Sequence, residues 1–105
     1  MNVRGKRSSG RDSDPRPLKA AIEDFLERYH LENKMAETRL LAAWEKVVGQ
    51  MIARHTSDLR VRNRVLFVRV SSAAIRSELH YARKRILASL NREAGGNIID
   101  EIVLN

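Results

Sequence analysis

Leu59-Arg60-Val61-Arg62-Asn63-Arg64-Val65-Leu66-Phe67-Val68-Arg69-Val70 is the stretch that decides the fold. Apolar and basic residues alternate before Asn63-Arg64, and the six residues after it are rich in β formers. Two such runs joined by a two-residue connection predict a β-hairpin. Side chains alternate across a pleated strand. Leu59, Val61, Leu66, Val68 and Val70 therefore share one face. Arg60, Arg62, Phe67 and Arg69 share the other. If that second face is open, Phe67 among three arginines is a stacking surface with phosphate contacts, the logic of sheet-based single-strand binders. If helices cover it, Phe67 is core.

Downstream, Ser71-Ser72 can cap a helix over about 73–93. Ile75, Leu79, Ala82, Ile86 and Leu90 form its core stripe. Arg76, His80, Arg83 and Lys84 cluster beside that stripe, and Arg85 points about 100° away from Lys84. A broad basic arc of this kind suits a phosphate backbone better than a single base edge. Gly95-Gly96 ends the helix, and residues 98–104 read as a last strand.

Upstream, Leu40, Leu41, Trp44, Val47, Val48, Met51 and Ile52 predict a second helix over about 34–54. Trp44 lies on the apolar stripe and reads as core. Gly49 interrupts this helix at a cost of about 1 kcal/mol against alanine, which predicts that another backbone crosses there. Leu31-Glu32-Asn33 reads as a break. Before it, Leu18, Ile22, Phe25, Leu26 and Tyr29 follow helical spacing over 18–30, with Pro17 at the start and Glu23, Asp24 and Glu27 on the polar side. Residues 1–17, dominated by Gly, Ser, Pro and charge, read as a disordered basic tail, and residues 18–105 as the folded part. The order α-α-β-β-α-β predicts an α+β two-layer sandwich with a three-stranded sheet. The helix between the second and third strands lets those two lie parallel.

Charge narrows the function classes. The chain has 105 residues, with 20 Lys and Arg against 13 Asp and Glu, a net charge of +7. Residues 54–92 hold ten basic and two acidic residues, net +8, while residues 19–53 are at −1 and residues 93–105 at −3. Such a concentration favours nucleic acid through counterion release. There is no cysteine, no apolar run near the roughly 20 residues of a membrane span, and no apolar stretch behind the charged N-terminus. A cytoplasmic protein without a membrane partner is expected by exclusion.

Little in the chain is arranged for catalysis. His30, His55 and His80 show no metal-ligand spacing, and His55 follows a helix end where it serves structure. Asp100 and Glu101 are neighbours in a strand and point to opposite faces, so they form no acid–base pair. No nucleophile elbow or phosphate-binding glycine loop is present. The expectation is binding without catalysis: no metal, no cofactor and no small-molecule substrate.

Ala43-Trp44-Glu45-Lys46-Val47-Val48-Gly49 resembles the W-x-x-V-V-G opening of the DciA-like family. Ile52-Ala53-Arg54-His55-Thr56, the pattern Leu66-x-Val68-x-Val70-Ser71-Ser72, Leu79 and Leu90-Asn91 extend the resemblance over about residues 20–104. It implies a fold similar to KH domains. It also implies a role in bacterial DNA replication, binding DNA and helping to load or operate the DnaB-type helicase without an ATPase of its own. Two departures stand out: no long extension follows Leu104, and the G-x-x-G backbone clamp of KH domains is absent. DNA would then be held by Arg60, Arg62, Arg69, Arg76, Arg83, Lys84 and Arg85. The rival readings are a protein–protein adaptor without DNA contact, presenting the acidic first helix or the Trp44 stripe, and a KH-like RNA-binding module.

Overall fold

The structure is a computed structural model and describes residues 14–105. Most of the expected tail lies outside these residues. The elements are α1 (Arg16–Ala42), α2 (Trp44–Val48), α3 (Gln50–Arg54), β1 (Thr56–Arg62), β2 (Val65–Val70), α4 (Ala73–Ala94) and β3 (Glu101–Leu104). Contacts divide the chain into two units, up to Glu32 and from Asn33 onward.

The first unit contributes the opening of α1. The Asp14 carboxylate accepts from the Arg16 backbone N–H at 3.1 Å and from its guanidinium at 3.0 and 3.2 Å. These bonds hold the Asp14 carboxyl below its usual range. From Pro17 to Glu32 every residue is exposed.

The second unit holds the core. The break expected at Leu31-Glu32-Asn33 is absent, and α1 runs through it. The segment contains neither Gly nor Pro, and Asn33 reaches Glu37 one turn on at 3.4 Å. The helix expected over 34–54 is instead divided twice. It ends at Ala42, beyond which the Ala43 N–H is shared between the Arg39 and Leu40 carbonyls at 3.1 Å each. It breaks again at Gly49, whose φ is 95° and ψ 163°. No atom stands within 4 Å of where a Cβ would be on Gly49. The glycine therefore serves a backbone conformation that L residues rarely adopt, not the close approach of another chain segment.

The hairpin forms as its alternation implies. Asn63 and Arg64 both take positive φ, 50° and 65°, as a two-residue turn matched to strand twist requires. The pairs Leu59↔Val68 and Val61↔Leu66 lie on one face, Arg60↔Phe67 and Arg62↔Val65 on the other. The sheet order is β1-β2-β3, antiparallel then parallel. Only Glu101–Leu104 of the expected last strand pairs. Ile98 and Ile99 precede it as buried or half-buried loop.

Leu66, Val68, Val70 and Ile102 pack against Ile75, Leu79, Ile86 and Leu90 of α4 and against Leu40, Ala43 and Trp44. Helices thus cover one sheet face, giving the expected α+β two-layer arrangement with a mixed sheet. Trp44 is core, as expected, and its indole N–H donates to Thr56 Oγ1 at 3.0 Å. That hydroxyl in turn donates to the Ile52 carbonyl at 2.8 Å. Ser72 caps α4 by accepting from the Ile75 N–H at 3.2 Å, and Gly95, with φ 90°, closes it in the left-handed region.

Candidate nucleic-acid interface

The sheet face opposite the core carries Asp58, Arg60, Arg62, Val65, Phe67, Arg69, Glu101 and Val103, by the strand registers. Val65, Phe67 and Val103 are half-buried and lie outside the core cluster. Phe67 pairs with Arg60 on one side and Val103 on the other. The Arg60 guanidinium sits 6.0 Å from the Phe67 ring centroid, within reach of the ring's negative face. Arg60 Nε also lies 3.3 Å from the Asp58 carboxylate. Arg62 and Arg69 are exposed. A short apolar strip bordered by three arginines is therefore built directly by the strand alternation.

The α4 residues are not part of that face, because α4 packs on the other side of the sheet. Arg76 is half-buried and donates to the Val70 carbonyl at 3.2 Å, so its guanidinium is tied to the end of β2. Its Nε is buried without a hydrogen-bond partner. Arg83 folds back along the helix, its Nη1 2.8 Å from the His80 carbonyl and 3.0 to 3.1 Å from the His80 ring nitrogens. Lys84 is exposed. Arg85 borders a mixed polar and apolar groove of about 460 Å³ formed with Val47, Val48, Ile52, Glu78, Ile86 and Ser89. The seven expected cationic residues thus fall on at least two surfaces.

Three further polar side chains, to which the sequence assigns no such role, tie the elements together. Arg64, at the hairpin turn, makes a two-pronged bond to Asp100 at 2.7 and 2.8 Å, and its carbonyl accepts the Asp100 N–H at 2.8 Å. The guanidinium holds the Asp100 carboxyl below its usual range. Arg39 caps the far end of α4 by donating to the Ala94 carbonyl at 3.1 and 3.3 Å. Asn91, the one buried polar side chain among the described residues, accepts from the Ile98 and Ile99 N–H groups at 3.1 Å each. It also donates to the Ile99 carbonyl at 2.9 Å. It thereby fixes the loop that delivers β3. Asn91 was visible only as part of a family pattern; nothing local marks it as a clamp. His55 stands at the end of α3, and its backbone carbonyl, not its imidazole, accepts the Ser71 N–H at 3.0 Å.

The sequence model described as "Dna[CI] antecedent, DciA" matches residues 17–104. The chain belongs to the DciA family. Relatives called UPF0232 protein include one from Mycobacterium marinum, 29% identical over 105 residues, covering 95% of this chain and 56% of the relative. Another, from Rhodococcus jostii, is 28% identical over 91 residues, covering 87% and 48%. A third, from Mycobacterium tuberculosis, is 29% identical over 86 residues, covering 82% and 46%. The chain spans about half the length of these relatives. Among the described residues, no helix is long and apolar enough to cross a membrane.

Proposed function

We propose that this DciA-family chain binds DNA through the open face of its sheet and acts as an accessory of the DnaB-type replicative helicase. The observation that carries the DNA reading is the sharing by Phe67, Arg60, Arg62 and Arg69 of one sheet face that lies, among the described residues, outside the core cluster. Its chemistry suits a single strand: bases stack on an aromatic ring while guanidinium groups follow the phosphates. The net +8 of residues 54–92 supplies long-range attraction. On α4, Lys84 and Arg85, together with Arg76 and Arg83 where their fold-directed bonds permit, add a secondary basic surface. The helicase partnership rests on family membership. Activity consists of holding and positioning, so binding constants and not turnover measure it.

The test is binding of fluorescent single- and double-stranded oligonucleotides as salt is raised. Three arginine–phosphate contacts on a single strand predict a slope of about −2 in log affinity against log salt, or about 20-fold between 50 and 200 mM. Single strands are expected to bind more tightly than duplex of the same length. Binding that is absent, or indifferent to salt, contradicts the proposal. Co-sedimentation with a purified DnaB-type helicase tests the second half separately.

A further inference from the structure

The opening of α1 carries an apolar stripe that stays exposed among the described residues. Leu18, Ile22, Phe25, Leu26 and Tyr29 are 66%, 49%, 64%, 55% and 62% exposed. A sequence that places large apolar residues at helical spacing normally buries them. Leu18, Ile22, Phe25 and Tyr29 follow one another at steps of four, three and four. That alternation is the seam of a left-handed helix pair. Phe25 and Tyr29 already stack, with ring centroids 6.5 Å apart.

We propose that this stripe pairs in antiparallel fashion with the same segment of a second copy of the chain. Antiparallel pairing about the midpoint of the stripe sets Leu18 against Tyr29 of the second copy and Ile22 against Phe25. Every layer then combines one aliphatic and one aromatic side chain. Parallel pairing would instead stack aromatic on aromatic in two layers and leave the other two thin. The positions flanking the seam are Lys19, Ala21, Leu26 and Arg28, and Arg28 is already ion-paired with Asp24 on its own helix. No unpaired like charges are brought together across the seam.

Charge also selects this segment. The chain is at +7, so two copies repel over most of their surface. Residues 16–32 hold three basic and four acidic residues, net −1, and residues 93–105 are at −3; of these two stretches only 16–32 presents exposed large apolar side chains. With on the order of 100 Å² still exposed at each large side chain, the stripe can bury about 500 Å² per copy. A standard stable interface buries about 800 Å² per partner. The interface is therefore smaller than a standard stable one, and a weak, concentration-dependent pair is expected. This inference does not depend on the DNA reading.

Sedimentation equilibrium of the whole chain over about 1 to 200 μM, the range that an interface of this size calls for, measures it. A monomer–dimer equilibrium is expected. Ile22→Glu or Phe25→Glu should weaken it about 100-fold or more by burying a charge in the seam. Both positions are exposed, so circular dichroism of the variants should match the parent. The natural absence of cysteine permits a second test. Leu18→Cys protein mixed with Tyr29→Cys protein should cross-link. Leu18→Cys protein should not cross-link to itself, because 11 residues, about 16 Å along the helix, then separate the two thiols. A monomer at every concentration, a dimer indifferent to both glutamates, or self-cross-linking of Leu18→Cys would each overturn the proposal.

Discussion

Arg60 lies with its guanidinium 6.0 Å from the ring of Phe67, its direct partner across the β1–β2 pair. The contact joins the two chemistries that a single strand needs, a flat ring for a base and a fixed positive charge for a phosphate. If this pair holds the strand, Phe67→Ala should weaken single-strand binding by about 1–3 kcal/mol and duplex binding much less. Phe67→Tyr should stay close to the parent. Anisotropy titrations on both substrates check this.

Asn91 should matter for stability more than its surface chemistry suggests. Asn91→Ala removes partners from two buried or half-buried N–H groups and one carbonyl. Each unsatisfied buried group costs about 1–3 kcal/mol, so a loss of about 3 kcal/mol or more is expected. Urea unfolding should show a lower midpoint with an unchanged slope.

Gly49 and Gly96 should respond differently to alanine. Gly49 has room for a Cβ but a φ of 95°, whereas Gly96 has a Cβ neighbour only at an ordinary 3.9 Å and no positive φ. Gly49→Ala should cost about 1–3 kcal/mol from backbone strain. Gly96→Ala should be within about 0.5 kcal/mol of neutral. Thermal melts of the two variants separate strain from crowding.

The Arg64–Asp100 pair gives the fold an acid-sensitive clamp. Asp100 has its pKa lowered by the hydrogen bonds from Arg64. Its stabilising effect is therefore full above the ordinary carboxylate pKa and is lost as pH falls through the lowered, folded-state value. The pair is exposed, so the step is small. Asp100→Asn should remove this part of the acid dependence, seen as a smaller change of melting temperature between neutral and acidic buffer.

How much was legible in the sequence depended on whether the signal was local. The hairpin and its two faces follow from period-two alternation around Asn63-Arg64, and the ends of α4 from Ser72 and Gly95. Those features depend on neighbours in the chain. Arg39 on Ala94, Asn91 on Ile99 and Arg64 on Asp100 depend on positions brought together only by folding, and no spacing announces them. The breaks were misplaced for a related reason. Leu31-Glu32-Asn33 contains neither Gly nor Pro to stop a helix, whereas the turn at Ala43 leads into Trp44, which is buried in the core. For the candidate site, alternation placed Arg60, Arg62, Phe67 and Arg69 together. The helical arc of Arg76, Arg83, Lys84 and Arg85 looked continuous because spacing does not show that Arg76 is drawn to the Val70 carbonyl or that Arg83 turns back on His80.

If DNA lies on the sheet face opposite the core, the basic residues there should matter more than those on α4. The most direct measurement compares Arg62→Glu/Arg69→Glu with Lys84→Glu/Arg85→Glu in single-strand binding at fixed salt. Each pair changes the net charge by the same amount, so long-range attraction falls equally. The sheet pair should lose at least about tenfold more affinity than the helix pair, since charge-assisted contacts are lost in one and only field in the other. Equal losses, or a larger loss for Lys84 and Arg85, would contradict it.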